Sequence, residues 1–120
     1  MNIIFGDSVK QIPNSYTVLE LDTLRLLPDN NLVTAYCVIE KIPLNDYPLI
    51  EVYVKLHHNI LINYRQQHWD YCEKAIDSLM GKWNGDVDTF YQELLHRITQ
   101  YKQTPPPGDW DGTHVKTTSK

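Results

Sequence analysis

No stretch of this chain holds more than a few consecutive apolar residues, so none is long enough to cross a bilayer as a helix. The start, Met1-Asn2-Ile3-Ile4-Phe5-Gly6-Asp7, lacks the basic residues and long apolar core of a secretory signal. Cysteine is scarce. Cys37 and Cys72 stand far apart in apolar patterns, which excludes a Cys-x-x-Cys metal or redox pair and leaves buried reduced thiols as the expectation. There is no excess of basic residues either: 11 Lys and Arg face 15 Asp and Glu, for a net charge of -4. Without a concentrated basic face the chain is not expected to bind nucleic acid. A cytoplasmic protein with no membrane partner is the expectation from these absences.

What is present is a globular composition. Hydrophobic residues make up 42% of 120 residues, enough for one core and too many for a disordered chain. We expect a single α+β domain over residues 1–102 and a Pro-rich tail over 103–120 docked on it. Ile3-Ile4-Phe5, ended by Gly6-Asp7, reads as a short N-terminal strand. Residues 16–41 read as an antiparallel hairpin turning at Pro28-Asp29-Asn30-Asn31. In its first strand the alternation runs Leu19, Leu21 and then slips to Leu24, Leu26, so one extra residue near Asp22-Thr23 predicts a bulge. In its second strand Val33, Ala35, Cys37 and Ile39 share one face, and Leu32, Thr34, Tyr36 and Val38 the other. Both faces are mostly apolar, which predicts cover on both sides.

Three helices should follow, at 46–66, 69–83 and 86–102. Asp46 is the expected N-cap of the first, with Pro48 in its first turn and a stripe of Leu49, Val52, Tyr53, Leu56, Ile60 and Tyr64. The second carries Cys72, Ala75, Ile76, Leu79, Met80 and Trp83, and Asn84-Gly85 should end it. Gly85 or Asp86 should cap the third, whose stripe is Val87, Phe90, Tyr91, Leu94, Ile98 and Tyr101. The short link between the last two predicts antiparallel packing. Three prolines then exclude further helix, and an extended Pro105-Pro106-Pro107 segment with Trp110 docked on folded protein is expected.

The residues that carry chemistry are present but not assembled. His57 and His58 are adjacent, about 100° apart on a helix, and His68, His96 and His114 are isolated. They read as surface or boundary histidines. No His-Glu-x-x-His and no Gly-x-Ser-x-Gly occurs, so no metal, cofactor or catalytic residue is expected. The carboxylate pairs Asp86/Asp88 and Asp109/Asp111 sit at a helix start and in a turn-rich tail, where capping and solvation account for them. Lys55, Arg65, Lys74, Lys82, Arg97 and Lys102 are scattered among acids and read as solvated. Trp69, Trp83 and Trp110 read as packing residues.

The hairpin Leu19-Glu20-Leu21-Asp22-Thr23-Leu24-Arg25-Leu26 and Val33-Thr34-Ala35-Tyr36-Cys37-Val38, then Tyr64-Arg65-x-x-His68-Trp69-x-x-Cys72, Tyr91 with Arg97, and Asp109-Trp110-Asp111-Gly112 form a recognisable series. It resembles the C-terminal end of bacterial-type class III adenylate/guanylate cyclases, their last strands and a tetratricopeptide-like helical tail. The resemblance implies an end-piece without the active site. The metal-binding aspartates, base-recognition residues and Asn/Arg pair of that family precede the segment that is matched. Gly6-Asp7-Ser8-Val9-Lys10 echoes the family's Gly-Asp-x-Val-Asn, but Lys10 stands where the family has Asn.

The expected function is a non-catalytic interaction or oligomerisation module. A small sheet with two apolar faces needs more cover than one helix supplies, and an open edge strand offers backbone groups to a partner. A homodimer built around the hairpin and the 46–66 helix is expected, or another protein partner. The alternative is a small-ligand or peptide-binding module whose helical groove is lined by Tyr64, Trp69, Tyr91 and Tyr101.

Overall fold

The computed structural model describes residues 2–117, and the last three residues of the expected tail lie outside the described residues. The fold is α+β. The chain divides into two compact units: one runs to Glu40 and resumes at Gly112, and the other is Lys41–Asp111. The division thus falls at residues 40/41 and 111/112 rather than after Lys102.

The first unit is a four-stranded sheet. Its strands are β1 (Asn2–Phe5), β2 (Thr17–Leu27), β3 (Asn31–Ile39) and β4 (His114–Thr117), in the order β1-β3-β2-β4. The β2–β3 hairpin turns where Pro28-Asp29-Asn30 was expected to turn. Asn30 takes a left-handed φ of 63°, and its side-chain oxygen accepts a bond from Arg25 Nη1 at 3.1 Å. Asparagine tolerates this conformation better than other non-glycine residues. The register shifts between Glu20 and Thr23, so the expected bulge is present. It lets Leu19 and Leu24, five positions apart, both stay buried.

The sheet is mixed, not wholly antiparallel as expected. β4 pairs parallel to β2, with Leu24 opposite His114 and Leu26 opposite Lys116. Parallel pairing requires a long crossover connection, and residues 41–111 supply the intervening chain. The expectation of an extended tail overlooked this strand because its sequence, His114-Val115-Lys116-Thr117, has a single apolar residue, as edge strands often do. The expectation of two covered faces also needs correction. Ala35, Cys37 and Ile39 are buried, but on the other face Thr34 and Tyr36 are only half-buried and Leu32 is exposed.

The second unit is helical: α1 (Ile50–Arg65), α2 (Trp69–Leu79) and α3 (Asp88–Gln103). α1 starts later than expected. Leu44–Leu49 form a 3-10 turn containing Pro48, and Leu49, not Asp46, is the N-cap, with no side-chain capping bond. Its buried stripe is His57, Ile60, Leu61 and Tyr64, while Val52 is exposed, a rotation of about one position from the expected stripe. α2 packs on α1 and buries Cys72, Ala75, Ile76 and Leu79. It ends at Leu79, not near Trp83, because Met80 turns extended and Gly81 is left-handed at φ 82°. Gly81 there follows the usual use of glycine after a helix end. α3 is N-capped by Val87 rather than Gly85 or Asp86, again without a side-chain bond, and Asp88 Oδ1 accepts the Gly81 N–H at 2.8 Å. Between these helices Trp83 and Asn84 both adopt left-handed backbone, at φ 54° and 56°. For a tryptophan this conformation costs on the order of 1–3 kcal/mol and persists only where its surroundings hold it. Here Trp83 is buried with its ring edge-on to Tyr53 at 5.7 Å.

Candidate functional site

Three of the four expected groove residues come together, and the tail joins them. The chain turns sharply between α1 and α2, where Gln67 has a left-handed φ of 63°. That corner brings Tyr64, at the end of α1, next to Trp69, at the start of α2, with ring centroids 5.6 Å apart and edge-on. Tyr101, on the last turn of α3, stacks on Trp69 at 5.3 Å and an interplanar angle of 27°. Trp110 closes the group, 5.4 Å from Tyr64 and 5.3 Å from Tyr101. Edge-on and offset geometries of this kind suit the ring quadrupoles.

The backbone around Trp110 is equally defined. The Trp110 N–H donates to the Pro107 carbonyl at 3.0 Å, which closes a four-residue turn over Pro107-Gly108-Asp109-Trp110. The same carbonyl accepts the Gln67 side-chain amide at 3.2 Å. Pro105, Pro107, Gly108 and Asp109 are exposed, so the tail touches the groove chiefly through one ring and one carbonyl. Tyr64 forms the base. Burial pushes its phenol well above the ordinary range, and the Arg97 guanidinium works in the opposite direction, yet the buried hydroxyl has no hydrogen-bond partner. Beside this seat lies an open cleft of about 280 Å³ lined by Gln67, His68, Trp69, Asp70, Tyr71 and Lys102. Lys102 spans from α3 to two α2 carboxylates, Glu73 at 2.6 Å and Asp70 at 3.0 Å.

Tyr91, the fourth expected groove residue, lies elsewhere. It is fully buried, and its hydroxyl bonds His57 Nδ1 at 2.9 Å, with Phe90 against both rings. His57 is therefore a core residue, contrary to its expected place at the surface. Helical spacing alone could not show this, because an uncharged imidazole with a hydroxyl partner behaves as a core side chain. Arg97 also departs from the solvated reading: it is buried, with Nε on Glu93 at 2.9 Å. His58, His68 and His96 are exposed as expected, and His68 Nδ1 bonds the Asn63 side chain at 2.8 Å.

Both cysteines are buried thiols, and the Cys72 thiol donates to the Ile60 carbonyl at 3.6 Å. Among the described residues no group of three or more His, Cys, Asp or Glu is placed to hold a metal, and no helix is long and apolar enough to cross a membrane.

The sheet carries a second feature. β1 is an edge strand, paired with β3 on one side, with Ile3 opposite Cys37 and Phe5 opposite Ala35. Partners in an antiparallel ladder share a face. Cys37 and Ala35 are buried there, whereas Ile3 is 43% and Phe5 50% exposed. Comparison with protein-family models, curated proteins and solved structures found no match.

Proposed function

We propose that this chain is a non-catalytic association module that forms a homodimer through β1. The observation that carries the reading is the open edge Asn2-Ile3-Ile4-Phe5, whose apolar side chains Ile3 and Phe5 stay exposed. This strand has none of the lysines, prolines or bulges that keep natural edges apart, and its shortness alone limits pairing. A second copy is the partner that fits best. Antiparallel pairing of two identical edges is self-complementary about a twofold axis, and an uncharged strand meets itself without repulsion. Pairing would cover Ile3 and Phe5 and join two four-stranded sheets into one.

Four residues per strand make a small contact, so the dimer is expected to dissociate on dilution. A cytoplasmic setting belongs to this reading, supported by two cysteines that remain thiols. Light scattering over a micromolar concentration series tests it. The mass should climb from that of one chain toward that of two. A single-chain mass throughout removes the proposal.

A further inference from the structure

We propose that the surface formed by Tyr64, Gln67, Trp69 and Tyr101 is a receptor for a turn-forming Pro-x-x-Trp peptide, and that residues 107–110 are its built-in occupant. This proposal is independent of the β1 dimer. The chain itself shows the fit: Trp110 enters among three aromatic rings while the Pro107 carbonyl takes the Gln67 amide.

Three observations distinguish a receptor from ordinary core. Trp69, Tyr101 and Trp110 are only half-buried, unlike Trp83, which is 1% exposed. Gln67, the residue that reads the proline carbonyl, holds a left-handed backbone that a non-glycine residue rarely adopts. Such outliers collect at ligand clamps. Finally, the tail fills only part of the available surface. The 280 Å³ cleft shares Gln67 and Trp69 with the Trp110 seat and continues toward Asp70 and Lys102. A peptide from a partner has room there for a further polar residue.

The contacts also define what the site reads. Gly108 is not required, because its backbone is not left-handed and a Cβ there would meet nothing within 4 Å. The tryptophan ring and the proline carbonyl carry recognition, which makes the motif Pro-x-x-Trp rather than Pro-Gly-Asp-Trp. The tethered copy competes at high effective concentration, so the site opens to a partner only when the tail is displaced.

The test uses the full chain with Trp110→Ala and an acetylated peptide spanning residues 104–112, followed by calorimetry. Saturable binding to the variant, at least tenfold weaker binding to the natural chain, and loss of binding when the peptide's tryptophan is replaced by alanine are expected. No saturable binding to a variant that keeps its circular dichroism, or equal binding to both chains, overturns the proposal. If the variant does not fold, the natural chain labelled with 5-fluorotryptophan serves instead. Excess peptide should shift the Trp110 fluorine signal toward that of a solvent-exposed ring, and an unmoved signal overturns the proposal. Dimers of the natural chain that vanish with Trp110→Ala, with no peptide binding, replace it with tail exchange between copies.

Discussion

The helical unit and the sheet treat their apolar side chains differently. In α2 and α3, Cys72, Ile76, Leu79, Leu94 and Ile98 are all fully buried, and Trp110 occupies the one aromatic groove. In β1, two of three apolar side chains remain exposed, on a strand with a partner on one side only. Burial of the first kind stabilises the chain by itself, whereas exposure of the second kind is stabilised only by something that covers it. The contrast locates association on the sheet edge and leaves the helical unit as the part whose contacts are already made.

Substitutions of equivalent size should separate the two regions. Ile76→Ala leaves a cavity in the helical core and is expected to cost about 2–5 kcal/mol, read by urea unfolding. Ile3→Ala should cost less than about 0.5 kcal/mol in dilute solution, since an exposed side chain loses little there. Equal costs would erase the comparison. Trp110→Ala comes next. Loss of its ring contacts should cost about 1–2 kcal/mol and lower the melting temperature. An unchanged melting temperature would show that the tail is not docked.

Alkaline pH addresses the helical core through Cys72. Burial, with a smaller contribution from the Glu73 charge, pushes its thiol up from 9.0 to about 12. A raised pKa favours the protonated thiol in the folded state. Its contribution is full below the unfolded value of 9.0 and is lost as pH rises toward about 12. Stability should therefore fall from about pH 9 upward, and Cys72→Ala should flatten that fall. Tyr64, raised mainly by burial, acts in the same direction. A slope unchanged by the substitution would contradict the buried thiol. The smallest effect belongs to Lys102→Met. Glu73 first and Asp70 second raise the Lys102 pKa, but the ammonium is solvated, so the loss should be slight and should disappear in high salt.

The sequence makes some of this legible for definite physical reasons. The slip from Leu21 to Leu24 shows the bulge, because side-chain alternation in a strand has a strict period of two. Trp110 after three prolines shows a docked ring, because a large aromatic side chain in a tail needs somewhere to lie. Helical faces are less sharply read. Spacing near 3.6 fits several adjacent stripes, so Val52 was placed inside and His57 outside, the reverse of the structure. Tyr91 shares a helix with Tyr101 but lies about three turns away, and only the tertiary packing of His57 and Phe90 decides where it goes. Pairing of β4 depends on a partner strand far away in sequence, which local pattern does not encode.

The central claim is that the β1 edge joins two copies of this chain. Sedimentation equilibrium of the natural chain beside an Ile3→Lys, Phe5→Lys double variant tests it most directly, because lysines on an edge strand oppose self-pairing. The account predicts a concentration-dependent dimer for the natural chain and a monomer with an unchanged circular dichroism spectrum for the variant. A dimer that survives both lysines, or a natural chain that never associates, would contradict it.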